Sequence, residues 1–308
     1  MDSILNYIGG KSLSAKKIVE LMPDHFCYVE TNAGGLWVFF AKPRTKVEIV
    51  NDINSNLINF WRVMQRQPNE FIERSKYEMY SRELFYEYYA DFDSGKFYKL
   101  SELERAFRFF CMLKESFGSK WNSGWGYGKS RNQADAFFNE FKIVDQIAER
   151  LKHVQIDNKD FQSVIEDYDG EETLFFCDPP YIKADVAAQY FKSTDQKKNM
   201  SFTLHDHQRL YTALTKIKGK FILTIDDAPF IRDRYCEGEQ GNRGFWWQEN
   251  IVHYSSAAGP DRRHATELII TNYDTEPIIK SKQNVKKESK KESKKEEPKS
   301  NSASLLDF

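Results

Sequence analysis

Five residues with no charge among them, Thr173-Leu174-Phe175-Phe176-Cys177, run straight into Asp178-Pro179-Pro180-Tyr181. Nothing polar alternates with the apolar side chains, so the run predicts a strand buried on both faces, the setting of a parallel sheet covered by helices. The prolines then end the ladder, because neither can donate a backbone N–H and both hold φ at about −65°. The turn thus lies at the carboxyl end of a strand, where open α/β sheets place their ligand chemistry. It gathers one carboxylate, carbonyls next to hydrogen-less nitrogens, and an aromatic ring. Asp178 and the Pro179 carbonyl can accept the two N–H bonds of a planar amino group on a flat base. Pro180 stiffens the turn, and Tyr181 can stack on the ring. Four letters alone also fit an ordinary Asp-Pro turn, so the rest of the chain has to decide.

At 308 residues the chain can form one large domain, or a domain with a sizeable insertion, without covalent staples. Cys27, Cys111, Cys177 and Cys236 lie far apart with no C-x-x-C pair, which predicts reduced core thiols and neither a disulfide framework nor a metal centre. No stretch has the apolar length of a membrane span, and Met1 to Asn6 does not read as a signal peptide, so a soluble cytoplasmic protein is expected. Residues 280–308 carry a net charge of +4 and the remaining 279 residues a net −5. A nucleic-acid surface would therefore have to be a local patch.

Residues 1–66 alternate strand and helix. Phe26 to Glu30 predicts a strand, Thr31-Asn32-Ala33-Gly34-Gly35 a turn, and Leu36 to Ala41 a helix. Val47 to Val50 is a second strand, closed by Asn51-Asp52 and followed by a helix to Arg66. A glycine turn after one strand and an acid after the next are the parts of an adenosine site. The turn lets a ligand approach the backbone, and Asp52 can accept from ribose hydroxyls. No full G-x-G-x-x-G is present.

Residues 67–150 differ in texture. Ser101-x-x-Glu104 is a capping box opening a helix, and Phe137, Phe141, Val144, Ala148 and Leu151 mark one further helix. Between them Gly118 to Arg131 interleaves Trp121, Trp125 and Tyr127 with glycines and with Lys120, Lys129 and Arg131. Such a loop can be pinned to the surface by its tryptophans, or it can probe DNA with cations on phosphates and rings wedged at the base stack. The company it keeps favours the second.

From residue 151 to 279 strand and helix alternate again. Gln155 lies in a short strand, Asp160-Phe161 opens a helix, Thr203 caps another, and Lys220 to Ile225, Trp246 to Tyr254 and Thr266 to Asn272 are strands. His205 and His207 are expected as solvent-facing residues at a helix start, since i and i+2 point different ways. Arg262 and Arg263 sit on a basic turn that can reach a phosphate. From Lys280 the chain repeats Lys-Lys-Glu-Ser, which predicts disorder, yet it ends in Leu305-Leu306-Asp307-Phe308.

Taken in order, Tyr7-Ile8-Gly9-Gly10-Lys11, Tyr28-Val29-Glu30 with its glycine turn, Val50-Asn51-Asp52-Ile53-Asn54, Asp160-Phe161 and Asp178-Pro179-Pro180-Tyr181 resemble the Dam-like (D12 class) N6-adenine DNA methyltransferases. The resemblance spans residues 4–275. It implies an α/β, Rossmann-like S-adenosylmethionine-dependent sheet made from residues 1–66 and 151–279, a mainly helical target-recognition insert at 67–150, and a disordered tail at 280–308. It implies S-adenosylmethionine held by Tyr7, Gly10, Lys11, Glu30, Asn32, Gly34, Asp52, Asp160, Phe161 and Asp178. It also implies catalysis by Asp178, Pro179, Pro180 and Tyr181 on an adenine flipped from double-stranded DNA. The enzyme is expected to be a nucleoid-associated monomer, bacterial or phage-encoded. Where the family has Pro-Phe and small residues after the first acid, this chain has Thr31-Asn32 and the bulky Leu36-Trp37. The carboxyl end is similar to peptides that dock on sliding clamps, with Leu305, Leu306 and Phe308 as the anchors. N4-cytosine methylation and a non-catalytic DNA-binding scaffold are the rival readings.

Overall fold

The computed structural model describes residues 1–7, 9–119, 121, 123–182, 202–238, 244–253 and 264–284. Lys120, Arg262, Arg263 and the anchors Leu305, Leu306 and Phe308 lie outside the described residues. Among the described residues no helix is long and apolar enough to cross a membrane.

A seven-stranded sheet runs in the order β3-β2-β1-β4-β5-β7-β6. Its parallel part comprises β1 (Cys27–Glu30), β2 (Val47–Asn51), β3 (Gln155–Asp157), β4 (Thr173–Cys177) and β5 (Lys220–Asp226). The antiparallel pair β6 (Trp246–His253) and β7 (His264–Thr271) closes one edge against β5. β4 alternates between two cores: Leu174 and Phe176 join one, Phe175 and Cys177 the other. That double burial is why the strand reads as an unbroken apolar run.

One layer holds α1 (Ala15–Leu21), α2 (Trp37–Ala41) and α3 (Ser55–Arg66); the other holds α9 (Phe161–Tyr168) and α10 (Leu204–Leu214). α2 starts one residue later than predicted because Leu36 is in the left-handed region (φ 55°), a strained setting for a branched side chain. Its side chain is buried in the core. Along α10, His207 is buried while His205 is exposed, which corrects the expectation of two solvent-facing histidines. Position 207 shares the helix face of Leu210 and Leu214, and its ring meets Phe202 edge-on at 4.7 Å. Burial keeps it neutral, with its pKa lowered to about 4.

The insert carries α4 (Pro68–Ser75), α5 (Arg82–Asp93), α6 (Glu102–Lys114), α7 (Gln133–Asn139) and α8 (Val144–Leu151). The single helix expected through Phe137 and Leu151 is instead two, joined by a tighter turn at Glu140–Ile143. The β-branched neighbours Ile143 and Val144 stand at the junction, where helix propensity is weakest. Phe110 of α6 stacks on Phe60 of α3 (5.9 Å, 3°), so the insert shares the core of the sheet's first layer.

Past β7, residues 276–284 are helical, and the Lys282 ammonium donates to the carbonyls of Val19 (3.0 Å), Glu20 (3.2 Å) and Met22 (2.8 Å) at the end of α1. The first five residues of the expected disordered tail are thus ordered by a cation at a helix carboxyl end. Residues 285–308 lie outside the described residues.

Candidate active site

The chain leaves β1 toward β2 and β3 on one side and fills β4 and β5 on the other, so the order reverses between β1 and β4. Crevices at the carboxyl ends of strands beside such a reversal bind ligands. Register places Glu30 opposite Phe176, so Asp178 emerges two residues farther along, at the same edge. Asp52 follows β2, Asp160 follows β3, and Thr224 and Asp226 end β5.

Asp178 is the centre of this edge. Its Oδ1 meets Lys11 Nζ at 2.7 Å and accepts from Thr224 Oγ1 at 2.7 Å. The side chains are 17% and 5% exposed for Asp178 and Lys11. Burial raises the Asp178 pKa, Lys11 and Thr224 pull it back down, and Glu267 adds a smaller upward push. Lys11 also donates to the Gly9 carbonyl (2.9 Å) and lies 5.0 Å over the Tyr181 ring. Pro179 is buried, and Ile182 donates its backbone N–H to Asp226 (3.0 Å), tying the turn to β5.

The glycine turn is built around Gly34, whose φ of 47° suits glycine and whose N–H donates to Asp52 Oδ2 at 3.1 Å. Asp52 Oδ1 accepts from Asn54 N (2.9 Å), and Trp61 Nε1 donates to the Gly34 carbonyl (3.1 Å). Burial raises the Asp52 pKa against those backbone bonds. Asn54 Nδ2 reaches Tyr7 Oη at 3.0 Å, linking the amino-terminal segment to the loop after β2. Asn32 accepts from Thr31 Oγ1 at 2.8 Å. Trp37, bulky where the family is small, finds room because a Cβ at Gly10 or Gly35 would sit 3.0 Å from its indole nitrogen. Two glycines absorb the indole.

Glu30 is buried, accepts from Tyr28 Oη at 2.7 Å, and its carboxyl is pushed up to about 8 by that burial. Asp160 caps α9 through Gln162 N (3.0 Å) and pairs with Arg209 at 2.6 Å. Phe161 is buried beside Phe202, with the Arg209 guanidinium 4.9 Å over its ring. The structure therefore gathers Tyr7, Gly10, Lys11, Glu30, Asn32, Gly34, Asp52, Asp160, Phe161 and Asp178 along one sheet edge. Sequence reasoning missed Thr224, Asn51 and Arg209. Asn51 bridges loops by donating to the Thr31 and Lys159 carbonyls, both at 3.0 Å. A lone hydroxyl within Phe-Ile-Leu-Thr-Ile was the available signal for Thr224.

The aromatic loop departs from expectation. Trp121 is 5% exposed, with its ring 5.2 Å from Tyr89, 5.1 Å from Phe92 and 5.7 Å from Phe109. It packs as a core residue enclosed by two helices of the insert, not as an exposed wedge. Trp125 is half-buried and donates to Glu115 Oε2 at 3.0 Å. Tyr127 alone of the three projects, at 67% exposure, stacked on Trp125 at 6.2 Å. Arg82, which the sequence did not single out, lies 5.0 Å from the Trp125 ring and 5.3 Å from that of Tyr127. Lys129 and Arg131 are exposed.

Glu115 supports a pH prediction. Burial pushes its carboxyl up to about 8; the Trp125 bond opposes this and the charge on Glu78 adds to it. The folded chain then holds the proton more tightly than the unfolded one. Stability is complete below the usual carboxylate pKa of about 4.3 and declines as pH rises through about 8. Glu115→Gln keeps an acceptor for the indole but cannot ionise. Its melting temperature should fall less than that of the unmodified chain between about pH 5 and about pH 8.5, a difference on the order of 2 kcal/mol at the alkaline end. Parallel curves would remove the assignment.

Residues 7–250 match the family described as D12 class N6 adenine-specific DNA methyltransferase. The chain is 27% identical over 285 residues to Type II methyltransferase M1.LlaDCHI of Lactococcus lactis subsp. cremoris, spanning 87% of this chain and 94% of that protein. It is 26% identical over 290 residues to Type II methyltransferase M.CviBI of Paramecium bursaria Chlorella virus NC1A, spanning 89% of this chain and 100% of that protein. It is 25% identical over 256 residues to the DNA N-6-adenine-methyltransferase of Escherichia phage P1, 76% of this chain and 31% of that longer protein. With the matched segment running from Tyr7 to Asn250 and holding every residue of the sheet-edge cluster, the chain belongs to the D12 class of N6 adenine-specific DNA methyltransferases.

Proposed function

We propose that the cluster around Asp178 transfers a methyl group from S-adenosylmethionine to N6 of an adenine flipped out of duplex DNA. The observation that carries this reading is the convergence of Asp178 and Lys11 with Glu30 and Asp52 at the topological reversal of the sheet. The donor set fits the cofactor. Carboxyls of Glu30, Asp52, Asp160 and Asp178 suit a molecule with a sulfonium, an ammonium and ribose hydroxyls, and the Gly34 turn permits close backbone approach.

When bound, S-adenosylmethionine supplies an electrophilic methyl on sulfur. Asp52 would accept from its ribose hydroxyls, Asp160 and Phe161 would flank its adenine, and Tyr7 and Gly10 would border its methionine end. Asp178 and the Pro179 carbonyl accept from the target amino group, and Tyr181 stacks on the target ring. Those hydrogen bonds draw N6 out of conjugation and orient its lone pair, the chief contribution here being position and preorganised charge. Transfer of that methyl to N6 would leave the S–CH₃ bonding pair on sulfur and release the N6 proton to water. Flipping costs a few kcal/mol of unstacking.

Tyr127, Lys129 and Arg131 of the loop, with Arg82 of α5 beside Tyr127, are assigned to face the DNA, and Trp125 anchors the loop. Clamp docking through Leu305, Leu306 and Phe308 and a monomeric state belong to the same proposal and rest on the sequence alone.

The test is incubation of the full chain with unmethylated duplex DNA and methyl-labelled S-adenosylmethionine, then nucleoside analysis. Label in N6-methyladenine is the expected result. Label in N4-methylcytosine would move the chemistry to the rival base, and absence of cofactor binding would leave a DNA-binding scaffold.

A further inference from the structure

We infer that Thr224 is a positioning residue: its hydroxyl, together with Lys11, commits Oδ1 of Asp178 and reserves Oδ2 for the amino group of the target base. This rests on the assignment of Asp178 as the group that meets the base.

The geometry follows from strand register. Cys177 of β4 pairs with Leu223 of β5, so the next residues along, Asp178 and Thr224, are neighbours across the two strands. Phe221, Leu223 and Ile225 face one core and Ile222 the other, which puts Thr224 on the side of Ile222. It is 1% exposed and flanked along the strand by the apolar Phe221, Ile222, Leu223 and Ile225. A buried hydroxyl in such a strand is costly unless it is hydrogen-bonded, and this one donates to Asp178 Oδ1 at 2.7 Å. The Lys11 ammonium reaches the same oxygen at 2.7 Å. Both contacts fall on Oδ1. Two donors on one oxygen fix the carboxylate's rotation about its last torsion, which is otherwise broad. The branched threonine side chain is itself stiff at χ1, so the hydroxyl is a rigid stop.

The titratable groups facing Asp178 are Lys11 on the amino-terminal segment, Glu30 at the end of β1 and Glu267 on β7. All three remain when Thr224 is changed. Losing the hydroxyl therefore withdraws one donor from the ionised carboxylate, and the group ionises at higher pH.

Thr224→Val keeps the shape and removes the donor; Thr224→Ser keeps the donor. With the full chain, Thr224→Val should lower kcat for N6 methylation about tenfold or more. KM for S-adenosylmethionine and affinity for DNA should stay within about twofold, and the acid limb of the kcat–pH profile should move to higher pH. Thr224→Ser should recover kcat to within about threefold and restore the profile. Thermal melting of both variants identifies any loss that is merely structural. Full kcat in Thr224→Val, an unshifted acid limb, or a serine variant as slow as the valine one would each overturn the inference. If the unmodified chain methylates N6 normally in that same experiment, the failure belongs to Thr224 alone. An unmodified chain that transfers no methyl group overturns the reading of the site and this inference with it.

Discussion

Asp178→Ala should lose methyl transfer by about a thousandfold or more, the scale of removing a preorganised electrostatic partner from a reacting centre. The carboxylate is where the sheet edge converges, and the Pro179 carbonyl that remains can accept only one of the two amino hydrogens. The substitution also strips Lys11 of its partner at 2.7 Å, leaving a 5%-exposed ammonium with the Gly9 carbonyl and the face of Tyr181. An uncompensated buried charge is destabilising in its own right. The Lys11→Met/Asp178→Ala double variant separates the two effects. It should regain most of the melting temperature lost by Asp178→Ala and remain inactive. Asp178→Ala retaining a tenth or more of the activity, about a hundredfold above expectation, would remove Asp178 from the reaction.

Local chemistry made the sheet edge legible. Thr173 to Cys177 announced double burial, and two prolines announced where it stops. Gly34 and Asp52 stood at the ends of successive parallel strands, and their bond at 3.1 Å is a local consequence of that order. What sequence could not give was pairing across strands. Nothing near Thr224 names Asp178, 46 residues away, and nothing near Asp160 names Arg209. These contacts follow from register and from how α10 lies against α9. The same limit applied to the aromatic loop. Its glycines and tryptophans are compatible with exposure or anchoring, and the choice was made by a pocket drawn from α5 and α6. His207 was misplaced for a related reason: its face of α10 is set by Leu210 and Leu214, and a histidine can share an apolar face when its charge is given up.

The loop supplies the second large effect. Trp121→Ala should cost about 3–5 kcal/mol of stability, the range for emptying a large aromatic site in a packed core. The ring is bounded by Tyr89, Phe92 and Phe109, which sit on helices that cannot easily collapse into the space it leaves. Trp121→Phe, which refills part of the volume, should recover most of the loss. Tyr127→Ala should behave in the opposite way. Its ring is 67% exposed, so stability should change by less than about 0.5 kcal/mol, while affinity for duplex DNA falls as a stacking surface beside Arg82 is removed. Denaturant melts and DNA titrations on the same preparations read both quantities. If Trp121→Ala instead melted like the unmodified chain and lost DNA affinity, the tryptophan would be a base-probing residue after all. Its burial would then describe only the state without DNA.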